Sequence, residues 1–494
     1  MIQDILGPEI HDVITSLIEP CEEIYLVGGA VRDYLLRLPS HDIDFVVKKN
    51  ALRAAKICAD RLQGAYYALD EERGTGRALL EIGGEQIVLD FATLAPAGIL
   101  ADLALRDFTI NAIAIDARLP DQLIDPLGGE LDLNEGILRP CSPASFSSDP
   151  IRTIRAVRFQ QRLGLEIDAS SADLIRAAAP GLAAISAERK RDELFAVFES
   201  RNVTQSCLLM REYQIWERVF PFISGLDQLE DVPRHFHSLE AHTLAVLNYC
   251  QELIASIDDD YSEIAHPILQ SGGEILDEFR ADLQAFLAHP IHPARRYDGL
   301  LFLAVLYHDL GKTEIVPLEE NGKIGFPKHA ERSAELFDAT RANWALSRDE
   351  FQFIECIIRN HTLPVEIQTT DGAELRKALH RFFLRSGSAG VLIAIFHLAD
   401  ILATYEDNLS GERWETARMT CRRLLDCWFR KYYQIVAPPV LVSGDELMRE
   451  FGLKAGPRIG VILAQIQAEQ AAGSITDRRT ALEFAGHWLK EQER

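Results

Sequence analysis

The chain has 494 residues, of which 47% are apolar and 26% charged, and a formal net charge of -24 at pH 7. That length exceeds one ordinary hydrophobic core and predicts two to four domains, and the residue balance excludes a disordered or fibrous chain. So large an acidic surplus, taken alone, argues against a nucleic-acid binder and for an enzyme of small molecules.

In chain order, residues 1–19 are acidic and amphipathic, not basic and then apolar, and no uninterrupted apolar run approaches 18 residues. The expectation is a cytoplasmic protein with no membrane segment. The eight cysteines are scattered without any Cys-x-x-Cys, which fits reduced thiols and argues against a cysteine zinc site.

Residues 24–27 read as a short buried strand, Gly28-Gly29 as a tight turn, residues 30–38 as a helix, and residues 43–47 as a second strand. Two glycines between a strand and a helix let backbone N–H groups approach phosphate oxygens, so the turn offers a triphosphate seat. Asp42 and Asp44 are two residues apart on the second strand, and the strand period points both carboxylates to one face, where they can share a pair of magnesium ions. Taken separately, Gly-Gly is often an ordinary turn and Asp-x-Asp a solvated strand end.

Together, Gly-Gly-x-Val-Arg-Asp followed by Asp-x-Asp resembles the signature of the polymerase β nucleotidyltransferase superfamily. Its form is similar to the bacterial class II tRNA nucleotidyltransferases, the CCA-adding enzymes with their poly(A) polymerase relatives. The resemblance implies that Gly28, Gly29 and Arg32 seat the triphosphate. After the Gly83-Gly84 turn, residues 85–92 alternate into a strand whose Asp90 is placed to complete a triad with Asp42 and Asp44. By resemblance it is the third acid, which deprotonates or orients the attacking hydroxyl; an Asp ending a strand is also a common turn former.

Arg106-Asp107-Phe108-Thr109-Ile110-Asn111-Ala112 runs into an apolar strand and matches the family's second motif. The resemblance makes Arg106 a phosphate donor and Asp107 and Asn111 partners of ribose hydroxyls. The segment between Asp90 and Arg106 lacks the Arg-x-Glu-x-Tyr run and Pro-Gly turn of most full CCA-adding relatives. In the family that loop helps the pocket turn from CTP to ATP, so its absence resembles enzymes that add only the two cytidines. Asp125-Pro126-Leu127-Gly128-Gly129 looks like the family's hinge turn, with conformational glycines.

At Asp149-Pro150 the pattern gives an N-cap and a first-turn proline, followed by Arg152, Arg155 and Arg158 at three-residue steps along one flank. A solvated helix face has the same pattern. The resemblance to Glu-Asp-x-x-Arg makes Asp149 and Arg152 a protein template for the edge of cytosine or adenine, with Ser148 in place of the leading Glu. Glu188-Arg189 resembles the motif that braces this helix. Residues 152–191 hold eight Lys or Arg against four acids, so RNA contact is expected to be local to such patches.

Beyond Pro233, His242, the pair His308-Asp309 and Asp400 follow in the order of the HD phosphohydrolase superfamily. Imidazole and carboxylate ligands suit Mn, Ni, Co, Fe or Mg. His329 and His361 either extend the set to a second ion or are surface residues. By resemblance this domain hydrolyses phosphate esters such as 2′,3′-cyclic phosphates. Residues 412–430 read as an amphipathic helix, Pro438-Pro439 as a break, and the tail as helical sequence that in the family grips tRNA.

The expected fold is α+β: a polymerase β-like head with a small mixed sheet (1–137), then a helical neck (138–230), an HD metal-binding domain (231–410) and a helical tRNA-binding tail (411–494). The expected activity is template-independent addition of C, or of the whole CCA, to the tRNA 3′ end from CTP and ATP. Mg2+ serves the head and another divalent metal the HD site; no membrane is involved. Poly(A) polymerase activity and a non-enzymatic RNA scaffold are the alternatives.

Overall fold

The computed structural model describes residues 1–200, 202–228, 238–293, 295–320, 323–368 and 370–492, so Pro233 and the expected boundary at 230/231 lie outside the described residues. The chain forms two compact units, Met1–Arg189 with Leu208–Val219, and Lys190–Cys207 with Phe220–Arg494.

The first unit is built on a seven-stranded sheet of β1 (Ile24–Val27), β2 (Asp42–Val47), β3 (Ala65–Asp70), β4 (Thr75–Ile82), β5 (Glu85–Thr93), β6 (Ala114–Asp116) and β7 (Leu123–Ile124). Their spatial order is β3-β4-β5-β2-β1-β6-β7, with β2 and β5 parallel and every other pair antiparallel. Alternation does the sorting: Ile43, Phe45 and Val47 are buried, while Asp42 and Asp44 point to the other face. Phe45 stands opposite Phe91 on β5, their rings stacked at 4.9 Å. Truncating either ring to alanine would cost about 3–5 kcal/mol. Helix Ala51–Arg61 packs on β4 and β5 through Ala51, Ala54, Ala55 and Cys58, small side chains that allow close approach.

Three expected elements differ. The helix expected over 30–38 ends at Leu35, because Arg37 takes a left-handed φ of 58°. The expected strand after Arg106 starts only at Ala114 and is preceded by a 3-10 turn, Thr109–Asn111. Side-chain bonds explain this, since the Asp107 carboxylate accepts from the Phe108 N–H and the Asn111 amide. The helix expected to be capped by Asp149 begins at Arg152 without a side-chain cap, the Asp149 carboxylate being drawn to Arg189.

Apart from one short hairpin, the described residues of the second unit are helical. Helices Tyr297–Tyr307 and Ala389–Tyr405 are apolar on every side, the mark of core helices. The stretch Ala389–Asn408 is long and apolar enough to cross a membrane, yet 72% of its most apolar 18 residues are buried within the protein and its apolar run is interrupted by His397 and Asp400. Helices Gly444–Phe451, Pro457–Ala472 and Arg478–Gln492 share a core of Leu447, Ile462, Ile466 and Ala485, and the first is held by a Ser443–Glu446 capping box.

Candidate active site

The parallel pairing of β2 with β5 sets Asp44 opposite Asp90, with Asp42 one pleat away on the same face. The three acids that the sequence nominated therefore stand on one patch of sheet. Burial pushes the Asp44 carboxyl above its usual range; Arg106 opposes this, and Asp90 and Asp42 add to it. Such a crowd of oxygens, with Arg106 and Arg77 only at its edges, is the donor set a hard divalent cation prefers.

Gly28 turns the chain at the end of β1 with φ 76° and ψ -134°. A Cβ there would lie 2.9 Å from Arg106 Nη1 and 3.4 Å from Asp44 Oδ2, so only glycine lets the turn, the arginine and the acid meet. Arg106 Nε is buried without a hydrogen-bond partner and Nη2 only approaches Asp102, at 3.4 Å, which leaves donors for an anion at the turn. Arg32, beside Gly29, is buried and donates to the Asp33 carboxylate and to the side-chain oxygen Oδ1 of Asn111. Asp107 and Asn111, expected to meet ribose hydroxyls, are taken up within the protein instead. Asp107 accepts twice from Arg155, at 2.9 and 2.7 Å, and from Asn111 at 3.1 Å. Burial opposes its ionisation, but these donors outweigh it and hold the carboxyl below its usual range.

Arg32, Arg155 and Arg158 surround the Phe159 ring at 5.1, 5.5 and 4.8 Å, so two of the three flank arginines, Arg155 and Arg158, are gathered with Arg32 on an aromatic face, and Arg152 is not. The side chains of Asp149 and Arg152 take separate partners. Asp149 accepts from Arg189 at 2.8 Å. Arg152 donates to the carbonyls of Leu105 and Arg106 and to Ser145 Oγ, which in turn donates to the Asp107 carbonyl. In the turn expected as a hinge, Gly129 is needed for close packing: a Cβ would fall 2.2 Å from the Thr109 carbonyl oxygen. Reading the sequence missed Ser145, Asp102 and Arg77, whose side chains hold the nominated residues in place.

A second cluster lies in the second unit. His308 and Asp309 sit where helix Tyr297–Tyr307 tightens into the 3-10 turn Leu310–Glu314. Asp309 Oδ2 lies 3.5 Å from His242 Nε2 and 3.2 Å from His308 Nε2, and Oδ1 lies 3.2 Å from His329 Nε2 and 3.7 Å from His361 Nε2. Asp400 joins through His242, at 3.3 Å. His329 and His361 thus belong to the cluster, which forms two potential metal sites sharing Asp309.

The Nδ1 atoms of His308, His329 and His361 each contact the carbonyl three residues earlier, so each carries the proton and turns the Nε2 lone pair inward. Two such lone pairs, on His329 and His361, lie 3.2 Å apart. A cation or an added proton relieves that contact, and burial drives His361 down to about 3, which disfavours the proton on that ring. The donor set fits divalent transition metals.

Residues 24–139 match the poly A polymerase head domain family, and residues 164–226 match the family described as the probable RNA and SrmB-binding site of polymerase A. The CC-adding tRNA nucleotidyltransferase of Geobacter sulfurreducens is 47% identical over 465 residues, covering 93% of this chain and 90% of that protein. The chain belongs to the tRNA nucleotidyltransferase family. The A-adding tRNA nucleotidyltransferase of Deinococcus radiodurans is 29% identical over 94% of this chain and 95% of that protein. In fold, this nucleotidyltransferase resembles a CCA-adding enzyme solved with CTP, with a TM-score of 0.62 and 23% identity over 99% of this chain and 97% of that one. It also resembles the Thermotoga maritima CCA-adding enzyme complexed with tRNA, with a TM-score of 0.58 and 22% identity over 99% and 98%.

Proposed function

We propose that this nucleotidyltransferase adds two cytidines, from CTP, to the 3′ end of tRNA in the cytoplasm. The observation that carries the reading is the meeting of Asp42, Asp44 and Asp90 with Arg106 at the Gly28-Gly29 turn. The turn, Arg106 and, behind it, Arg32 hold the triphosphate. Asp42 and Asp44 hold Mg2+, which when bound neutralises phosphate charge and polarises the α-phosphate. Asp90 orients the tRNA 3′ hydroxyl and accepts its proton as the oxygen bonds to the α-phosphorus and the bond to pyrophosphate breaks. Asp107 and Asn111 shape the ribose side of the pocket, with Arg155 and Arg158 behind it. Asp149 accepts from the cytosine amino group and Arg152 donates to its acceptors, at about 1–3 kcal/mol of discrimination per bidentate contact.

Limitation to CC is supported by the 47% identity to a CC-adding relative and by the segment between Asp90 and Arg106, which folds into the short helix Ile99–Ala104 instead of a long loop. Incubation with CTP, ATP and a tRNA lacking its 3′ end tests this: two cytidines and a stop are expected, and efficient addition of the terminal A overturns it. The fourfold division into head, neck, HD domain and tail belongs to the same reading.

A second reading concerns the histidine cluster. The sharing of Asp309 by two sets of imidazoles supports an HD-type phosphohydrolase centre holding Mn, Ni, Co, Fe or Mg. Hydrolysis of a 2′,3′-cyclic phosphate is expected with one of these ions, and an assay blank with all of them removes the reading.

A further inference from the structure

Arg77 enters the carboxylate patch from the side away from the glycine turn. β4 runs antiparallel to β5 and sets Arg77 opposite Asp90, while β5 runs parallel to β2 and sets Asp90 opposite Asp44. Opposed residues share a face of the sheet, so guanidinium, carboxylate and carboxylate form one row across three strands. Arg77 Nε donates to Asp90 Oδ1 and Nη2 to Oδ2, both at 2.8 Å, which is the two-pronged geometry that fixes a carboxylate's plane as well as its place.

The pair is not there for stability. The Arg77 side chain is 40% exposed and that of Asp90 25%, and an ion pair so open to water contributes about 0–1 kcal/mol. Its effect is orientation. A carboxylate offers about four lone-pair positions, and the fork takes two of them, one on each oxygen. What remains accepts a hydrogen bond readily. Mg2+ asks more, because it sheds water reluctantly and demands near-octahedral placement, which a carboxylate whose plane is already set cannot turn to meet. Asp42 and Asp44 carry no such fork among the described residues. The row thus divides the acids into two that are free to take metal and one that is held.

We infer that Arg77 is a positioning residue for nucleotidyl transfer, holding Asp90 so that its carboxylate meets the attacking 3′ hydroxyl instead of a metal ion. The inference rests on the reading that Asp42, Asp44 and Asp90 serve the transfer.

The test compares wild type, R77M, R77K, D90N and the R77M/D90N double variant in single CTP addition to tRNA, with Mg2+ titrated in each. The expected result is a loss of about 100-fold in kcat for R77M, the scale of a misplaced reacting group. KM for CTP and the Mg2+ half-saturation point stay unchanged, R77K recovers part of the rate, and added guanidinium ion recovers part of it in R77M. The double variant is no slower than D90N, because the two residues act as one unit. The inference is overturned by an R77M enzyme at wild-type rate beside a slow D90N, by losses that multiply in the double variant, or by R77M needing less Mg2+ as Asp90 becomes a metal ligand. A D90N enzyme at wild-type rate instead removes the underlying role of Asp90. Should R77M fail to fold, R77Q and R77K carry the same comparison.

Discussion

Arg189 donates to the carboxylate of Asp149 at 2.8 Å, joining the start of helix Ala187–Phe198 to the turn that opens helix Arg152–Leu163. The bond leaves Asp149 Oδ1 for the amino group of a base while fixing the direction in which it points. Replacing Arg189 by Gln is expected to reduce the preference for CTP over UTP by about 10-fold, at the low end of the range for one base contact. R189K is expected to recover little, because a point charge does not set a carboxylate's orientation as a guanidinium does. The ratio of kcat/KM for the two nucleotides measures this; an unchanged ratio in R189Q means that Asp149 needs no brace.

Asp44 predicts the response to pH and metal. Burial, with Asp90 and Asp42 nearby, raises its carboxyl, so the metal-free site keeps a proton to higher pH than an ordinary aspartate. Only the ionised form holds Mg2+, so the transfer rate rises with pH through the raised value. Proton and metal compete, and the acid limb is expected to move down by about one pH unit for each tenfold increase of Mg2+ above the dissociation constant of the ionised site. Rate–pH curves at three Mg2+ concentrations check it, and superimposed acid limbs would count against Asp44 as a metal ligand.

Glu350 and Arg295 form a buried ion pair in the second unit, with side chains 0% and 7% exposed. Burial disfavours the Glu350 charge, but Arg295 and the Ser347 cap outweigh it and hold the carboxyl below its usual range. A depressed carboxyl gives stability that is present above the unfolded-state value, near 4.5, and is lost as pH falls through the folded one. E350Q removes the nearer counter-charge of buried Arg295, leaving Asp192 at 4.0 Å, and is expected to destabilise the protein by about 3 kcal/mol at pH 7. Denaturant melts at pH 7 and below pH 4 should show the gap between the two proteins closing in acid.

Much of the head was legible because its signals are local. Strand β1 lies where four consecutive apolar residues before a diglycine put it, and the period of two alone places Asp42 beside Asp44. Even Arg77 had a readable signal: a hairpin folded about the expected Gly83-Gly84 turn pairs position 77 with position 90, the register observed. It went unread because nothing marks an arginine on a strand as special until its partner is known. The brace at Asp149 was only half legible. An Asp before Pro reads as a helix cap, and no local rule shows that a guanidinium forty positions later will claim the carboxylate. Asp107 and Asn111 likewise look free in sequence, and only the long-range approach of Arg155 and Arg32 shows them occupied.

The histidine cluster makes the last prediction. Asp309 gives one oxygen to His242 and His308 and the other to His329 and His361, so it is the one side chain common to both potential sites. Three of the four imidazoles are already set with Nε2 inward by backbone carbonyls, which lowers the ordering cost of binding. Protein loaded with Mn2+ is expected to hold two ions at this cluster, H361A one, and D309A none. An ion at one hundred times its dissociation constant adds about 2.7 kcal/mol of stability, so loading should raise the melting temperature of wild type and leave D309A where it was. Elemental analysis and thermal melts on D42A/D44A protein, which removes the head's own oxygen donors, read the cluster by itself. Retention of two ions by D309A would show that the carboxylate does not bridge them.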